Sequence, residues 1–148
     1  MDIFEKELIR INHLALDKKS CLQEMAELLS DKEIITSLKG FMQAILEREN
    51  LMSTGIGHGV AIPHARSPWV DQLKVVLFIL RDDLDFASID GEPVRIIFMI
   101  AVPENRKQEY IKLLSNISNF CKELANRDFL LNSNNIEEIY QILTGISG

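Results

Sequence analysis

The chain has 148 residues, 47% apolar and 26% charged, which describes one globular domain with a substantial core and excludes a disordered chain. A formal net charge of −6 argues against nucleic acid as the main partner, because phosphate binding needs a basic face, and suits a partner that presents a basic patch. No apolar run reaches the roughly 20 residues that span a bilayer, and Met1-Asp2-Ile3-Phe4-Glu5 lacks the basic and apolar regions of a signal peptide, so a cytoplasmic location without membrane insertion is expected.

In chain order, Asp2 to Arg10 reads as a short helix and Ile11 to Leu16 as an edge strand. His13 lies there and is expected to be structural. Ser20 and Gln23 have the spacing of a capping box. Leu22, Met25, Ala26 and Leu29 then follow the i, i+3, i+4, i+7 template of an amphipathic helix. Leu38, Phe41, Met42 and Ile45 repeat it, and this second helix should end near Arg48-Glu49-Asn50. Cys21 and Cys121 are too few and too far apart for a disulfide framework or a Cys-rich metal site. Each falls in a helical pattern and is expected to be a reduced core residue.

The next stretch, Thr54-Gly55-Ile56-Gly57-His58-Gly59-Val60-Ala61-Ile62-Pro63-His64-Ala65-Arg66, holds two of the three histidines. Alternating glycines let the backbone take positive φ and approach a neighbour or a ligand closely. Val60 to Ile62 reads as a brief extended segment. Pro63 fixes its own φ and favours an extended Ile62, so His64 is presented from stiff backbone. Three chemistries suit the stretch. It can cradle a phosphate with backbone N–H groups. It can supply half a metal site through His58 and His64. Or it is a tight turn whose histidines are incidental. It is not a P-loop, since no Gly-Lys-Ser/Thr follows and no helix opens there.

Ser67-Pro68-Trp69 breaks the chain again, and Trp69 is expected to pack over the site rather than cap a core edge. Val75 to Leu80 and Ile96 to Val102 are continuous apolar runs, as in strands covered on both faces. Between them, Asp82-Asp83 and Asp90-Gly91 supply turns, and Phe86 to Ile89 suggests a short strand. Asp82, Asp83 and Asp85 read as a solvated turn, because no Glu or His backs them at ligand spacing. Pro103 stops the second run. Asn105 and Gln108 have N-cap spacing, and Tyr110, Leu113, Leu114, Ile117, Cys121 and Leu124 mark a long amphipathic helix. A last helix opens at Asn135 with Glu138 at the capping-box position, uses Ile136, Ile139, Tyr140 and Leu143 as its apolar face, and stops at Gly145. Helices flanking buried strands, with no repeats or linkers, predict a single α/β domain over residues 1–148, a mixed β-sheet sandwiched between helical layers.

Arg48-Glu49, Ser53-Thr54-Gly55-Ile56-Gly57 and Gly59-Val60-Ala61-Ile62-Pro63-His64 together resemble the signature of the fructose/mannitol/nitrogen-type enzyme IIA domains. These domains belong to the bacterial phosphoenolpyruvate-dependent sugar phosphotransferase system. The resemblance continues through Phe86-Ala87-Ser88-Ile89-Asp90-Gly91-Glu92-Pro93-Val94, Ala101-Val102-Pro103 and Leu113-Leu114-Ser115, and so covers nearly the whole chain. It implies a mixed sheet between helical layers. It also implies that His64 accepts a phosphoryl group from the phosphocarrier protein HPr and passes it to a IIB domain for sugar uptake. In nitrogen-type relatives the phosphorylation state instead controls binding to regulatory target proteins. No cofactor or metal is called for. Imidazole suits phosphoryl carriage, because with an unperturbed pKa of about 6.5 roughly three quarters of it is neutral at pH 7. Phosphoryl transfer is mainly positioning and charge stabilisation. The expected donors to the phosphoryl oxygens are the Gly55, Gly57 and Gly59 amides, the Thr54 hydroxyl and the Arg48 guanidinium, which corresponds to the family's site arginine. Arg66 either joins them or points to solvent. Many relatives carry a second histidine early in the long helix, and alignment puts Tyr110 there. His58, where relatives often have Asn, is the candidate to compensate.

Overall fold

The computed structural model describes residues 2–147. It opens with strand β1, Phe4–His13, where a short helix was expected over Asp2 to Arg10. The Glu5-Lys6-Glu7 run suits a helix locally, but tertiary pairing overrides it. β1 runs parallel to β5 (Lys74–Leu84) at the edge of the sheet and buries Phe4, Leu8 and Ile9. Glu5 meets Lys74 at 2.8 Å and Lys32 at 3.2 Å. The predicted edge strand is the second half of β1, and Leu14 to Leu16 lie beyond it.

Helix α1 spans Lys18–Asp31 and α2 spans Leu38–Leu51. α1 buries its predicted stripe, Leu22, Met25, Ala26 and Leu29, and α2 buries Phe41, Met42 and Ile45 while Leu38, the first residue of its predicted stripe, is half-buried. The cap of α1 is Asp17, not Ser20. The Asp17 backbone is extended and its carboxylate accepts from the Ser20 N–H at 2.7 Å, so Ser20 is already helical. Ser37 caps α2 in the same way through the Gly40 N–H.

Three short strands follow, β2 (Gly55–Gly57), β3 (Val60–Ala61) and β4 (His64–Ser67). β5 and β6 (Val94–Pro103) are the two long central strands, paired antiparallel. β3 and β4 both run parallel to β6, one after the other along its edge, and β2 pairs antiparallel with β3. The result is a mixed six-stranded sheet. Asp82 and Asp83 are exposed residues inside β5 rather than a turn. Phe86 to Ile89 forms no strand. Its Phe86 side chain is fully buried, and the Phe86 carbonyl accepts from Lys18 Nζ and Ser53 Oγ, which satisfies the segment without a ladder.

The predicted long helix is two, α3 (Lys107–Lys122) and α4 (Leu124–Asn132). Glu123 between them is extended (ψ 123°), and Leu124 is exposed rather than part of the α3 stripe. Arg106 occupies the N-cap position of α3, and no side chain caps it, so Asn105 does not serve there. Helix α5, Ile136–Ser147, begins as predicted, with Asn135 Oδ1 accepting from the Glu138 N–H at 3.3 Å, but it runs through Gly145. Residues of α1 and α2 pack with Val76, Phe78, Ile97 and Met99 on one face of the sheet. Residues of α3, α4 and α5 pack with Val75, Leu77, Phe98 and Ile100 on the other. This is the expected three-layer α/β domain. Cys21 and Cys121 are free and buried, their thiols pushed up to about 12 by desolvation. His13 packs against Phe78 with ring centroids 4.5 Å apart and planes tilted by 52°, and has Glu24 at 3.2 Å, in a structural setting at the far edge of the sheet.

Candidate functional site

His64 is the first residue of β4, opposite Ile100 of β6. Side chains alternate along β4: Ala65 packs into the α1/α2 core, while His64 and Arg66 stand on the other side. The His64 Nδ1 atom lies 2.8 Å from the Ile62 carbonyl. A carbonyl oxygen only accepts, so Nδ1 carries the proton there. In the neutral ring Nε2 then keeps its lone pair. Burial lowers the His64 pKa from its ordinary value, the bond to Ile62 opposes that, Arg48 adds to the lowering and Glu49 opposes it. The net effect is a ring more fully neutral at pH 7 than free imidazole.

An open cavity of about 600 Å³ lies beside this ring. Arg48 and Glu47 of α2, Arg66 of β4, and Lys107 and Tyr110 of the first turn of α3 line it. The Tyr110 and His64 rings are 5.3 Å apart, tilted by 41°. Burial raises the Tyr110 pKa, with Arg48 and Arg66 pulling it back, so the phenol is a neutral hydrogen-bond donor. Arg48 Nη1 donates to the Met52 carbonyl at 2.7 Å, which steadies the guanidinium at the end of α2. Three cations and one carboxylate thus line the cavity beside the His64 ring, an arrangement suited to a tetrahedral dianion.

His64, Arg48, Arg66 and Tyr110 are therefore brought together, and Arg66 lines the cavity rather than pointing away from it. Lys107 and Glu47 were missed. Lys107 precedes Tyr110 by three residues, a helical spacing that puts both on one face.

Other expected site residues stand elsewhere. The Thr54 hydroxyl is donated to Glu49 and the Thr54 N–H to the same carboxylate at 3.2 Å, so neither faces the cavity. Glu49 is buried and also paired with Lys18 at 2.8 Å. None of Gly55, Gly57 and Gly59 lines the His64 cavity. The Gly55 N–H donates to Ser53 Oγ at 3.1 Å, and a Cβ on Gly55 would lie 2.2 Å from Ser88 Oγ, so this glycine serves close backbone packing. Val60 is opposite Ile96 and His64 opposite Ile100, which sets the start of β3 about 13 Å along the sheet from His64. His58 is exposed at φ 58° in the β2–β3 turn and borders a separate cavity with Ser118 and Lys122. A site shared by His58 and His64 is not assembled. Among the described residues no group of three or more His, Cys, Asp or Glu is placed to hold a metal ion. Trp69 lies against Gly40 of α2 and does not line the His64 cavity, so it caps a core edge instead of covering the site.

The family described as "Phosphoenolpyruvate-dependent sugar phosphotransferase system, EIIA 2" matches residues 2–145. The chain belongs to this family. The EIIA chain is 30% identical over 142 residues to the "PTS system fructose-specific EIIABC component" of Bacillus subtilis, covering 96% of itself and 22% of that relative. It is 32% identical to the "Nitrogen Regulatory Protein IIA-Ntr from Neisseria meningitidis", with a TM-score of 0.90 over 95% of this chain and 96% of the other. The mannitol enzyme IIA of Escherichia coli, solved in complex with phosphorylated enzyme IIB, shares its fold at 22% identity, with a TM-score of 0.83 over 96% of this chain and 99% of that one. Enzyme IIA domains of this family are components of the phosphotransferase system, which supports a general role in phosphotransfer. Among the described residues no helix is long and apolar enough to cross a membrane.

Proposed function

We propose that His64 is the phosphoryl acceptor of this EIIA chain, charged by HPr and discharged to a IIB domain. The observation that carries the reading is the Nδ1–Ile62 bond, which leaves Nε2 as the nucleophilic nitrogen beside an open cationic cavity. Nε2 bonds to phosphorus as the bond from phosphorus to the donor imidazole breaks, and the donor nitrogen keeps that electron pair. Arg48, with only one guanidinium nitrogen engaged, contacts the phosphoryl oxygens, and the Tyr110 hydroxyl donates to them. The reverse geometry returns the group to the next carrier. A complex of an enzyme IIA with phosphorylated enzyme IIB in the mannitol system supports a IIB partner.

A second reading is regulatory. The 32% identity and near-complete overlap with a nitrogen regulatory IIA protein favour it. Here the phosphorylation state of His64 controls binding to a target protein. The chemistry at His64 is the same, and only the recipient differs. Incubation with phosphoenolpyruvate, enzyme I and HPr, followed by intact-mass measurement, tests the shared step. An acid-labile phosphate is expected on the wild type and none on His64→Ala. Label that persists on His64→Ala refutes His64 as the acceptor. Discharge of the labelled chain by a sugar-specific IIB domain then separates transport from regulation.

A further inference from the structure

The phosphoryl group adds about −1.5 to −2 charge, on the usual phosphate scale, to a ring that was neutral. Of the cavity's cations, Arg48 already gives a nitrogen to the Met52 carbonyl. Tyr110 touches the His64 ring but carries no positive charge. Lys107 lines the same cavity from the first turn of α3, three residues before Tyr110. Among the described residues its ammonium has no ion pair, although Glu109 sits two residues away and is taken by Arg106. A lysine is a mobile point charge with three donors and can follow a group as it arrives and leaves. Glu47, the one carboxylate on the cavity wall, also has no cationic partner there and hydrogen-bonds Gln43 instead.

We infer that Lys107 is a phosphoryl-binding residue of this chain, its ammonium pairing with an oxygen of the phosphoryl group on His64 Nε2. The inference rests on His64 being the acceptor. It assigns to Lys107 the mobile positive charge that Tyr110 cannot supply, and to Tyr110 a neutral hydrogen bond beside it. Because Lys107 is exposed, its replacement leaves the fold intact.

The test uses the full chain as wild type, Lys107→Gln and Lys107→Arg, each phosphorylated through enzyme I and HPr. The second ionisation of the phosphoryl group is followed by ³¹P NMR against pH. An adjacent ammonium holds that ionisation low, so Lys107→Gln should raise the midpoint by about 0.5–1 pH unit and Lys107→Arg should restore it. The rate of uptake from phospho-HPr should fall roughly tenfold in Lys107→Gln, the usual scale for one charge-assisted hydrogen bond. A purely structural role for Lys107 would not move the ³¹P midpoint. If wild type is labelled on His64 while Lys107→Gln titrates and charges as wild type does, this inference falls and the acceptor reading stands. If His64→Ala still takes label, the acceptor reading itself falls.

Discussion

Removing the Glu49 carboxylate tests what holds the Gly55–His64 stretch against the helices. The Glu49 side chain is 4% exposed, receives both donors of Thr54, and faces Lys18 Nζ at 2.8 Å. Glu49→Ala strips three donors of their acceptor at once. Breaking a buried ion pair from one side costs about 3–5 kcal/mol, because a charge is left without its partner. Lys18 keeps the Phe86 carbonyl at 3.1 Å and the Phe86 ring, and its side chain is 24% exposed, so water reaches it. The low end therefore applies, about 3 kcal/mol, or roughly 10 °C in Tm for a domain of this size. Thermal unfolding followed by circular dichroism measures it. Lys18→Met and Glu49→Ala together should cost less than the sum of the two single changes, since the double variant leaves no stranded charge. A Glu49→Ala loss under about 1 kcal/mol, or strict additivity in the cycle, would refute the network as the anchor of this stretch.

Three further outcomes follow from the geometry. His64 is lowered in pKa mainly by burial, so the unfolded ring, at about 6.5, takes a proton before the folded one as pH falls. Its stabilising contribution is thus present above about 6.5 and lost as pH falls toward the depressed folded value; unfolding of wild type and His64→Gln at about pH 7.5 and about pH 5.5 should show that slope only in wild type, and phosphoryl uptake should inflect below about 6.5. Tyr110→Phe, which keeps the ring beside His64 but removes the donor, should slow uptake several-fold, whereas Tyr110→His should speed onward transfer; rates equal to wild type in both would remove Tyr110 from the phosphoryl group's reach. Gly40→Ala places a Cβ 2.2 Å from the indole of Trp69, the one tryptophan in the chain, and should displace that ring into water with a red-shifted emission; the gain in helix propensity, about 1 kcal/mol, offsets much of the lost packing, and an unchanged spectrum would show that the indole does not rest there.

What the sequence disclosed depended on whether local pattern and tertiary setting agreed. On α1, α2 and α5 the apolar period matches the face that is buried, so those helices were legible. The β5 and β6 runs were legible because both faces of a central strand are covered and nothing interrupts the apolar residues. β1 was not, because its register shifts against β5 bury the neighbours Leu8 and Ile9 and erase the two-residue alternation. The break at Glu123 has no Gly or Pro to announce it, and Gly145 sits in a helix that tolerates it. The site divides along the same line. His64, Arg48 and Tyr110, which the family resemblance names, meet in one cavity, but the Gly55–Gly59 amides, expected as a phosphate cradle, do not line it. In a strand, five residues already span about 15 Å or more, so sequence neighbours on an extended segment do not share a pocket. Residues three apart on a helix do, and this is the signal that Lys107 offered.

The break between β3 and β4 explains how the histidine gets its fixed tautomer. Ala61 pairs with Ile97 and His64 with Ile100, so both strands follow one edge of β6 and the ladder lapses over Ile62 and Pro63. The Pro63 nitrogen has no hydrogen to donate, while the Pro63 carbonyl still accepts from the Ile100 N–H at 2.9 Å and holds the chain to the sheet. The Ile62 N–H is drawn off to the Thr54 carbonyl at 3.0 Å, on the β2 side. The Ile62 carbonyl meets Nδ1 of the His64 ring. An uninterrupted strand would commit that oxygen to a neighbour's amide, and Nδ1 would have no acceptor two residues back. The interruption in the sheet thus gives Nδ1 its acceptor, and Glu49, by holding both donors of Thr54, steadies the residue whose carbonyl takes the Ile62 amide.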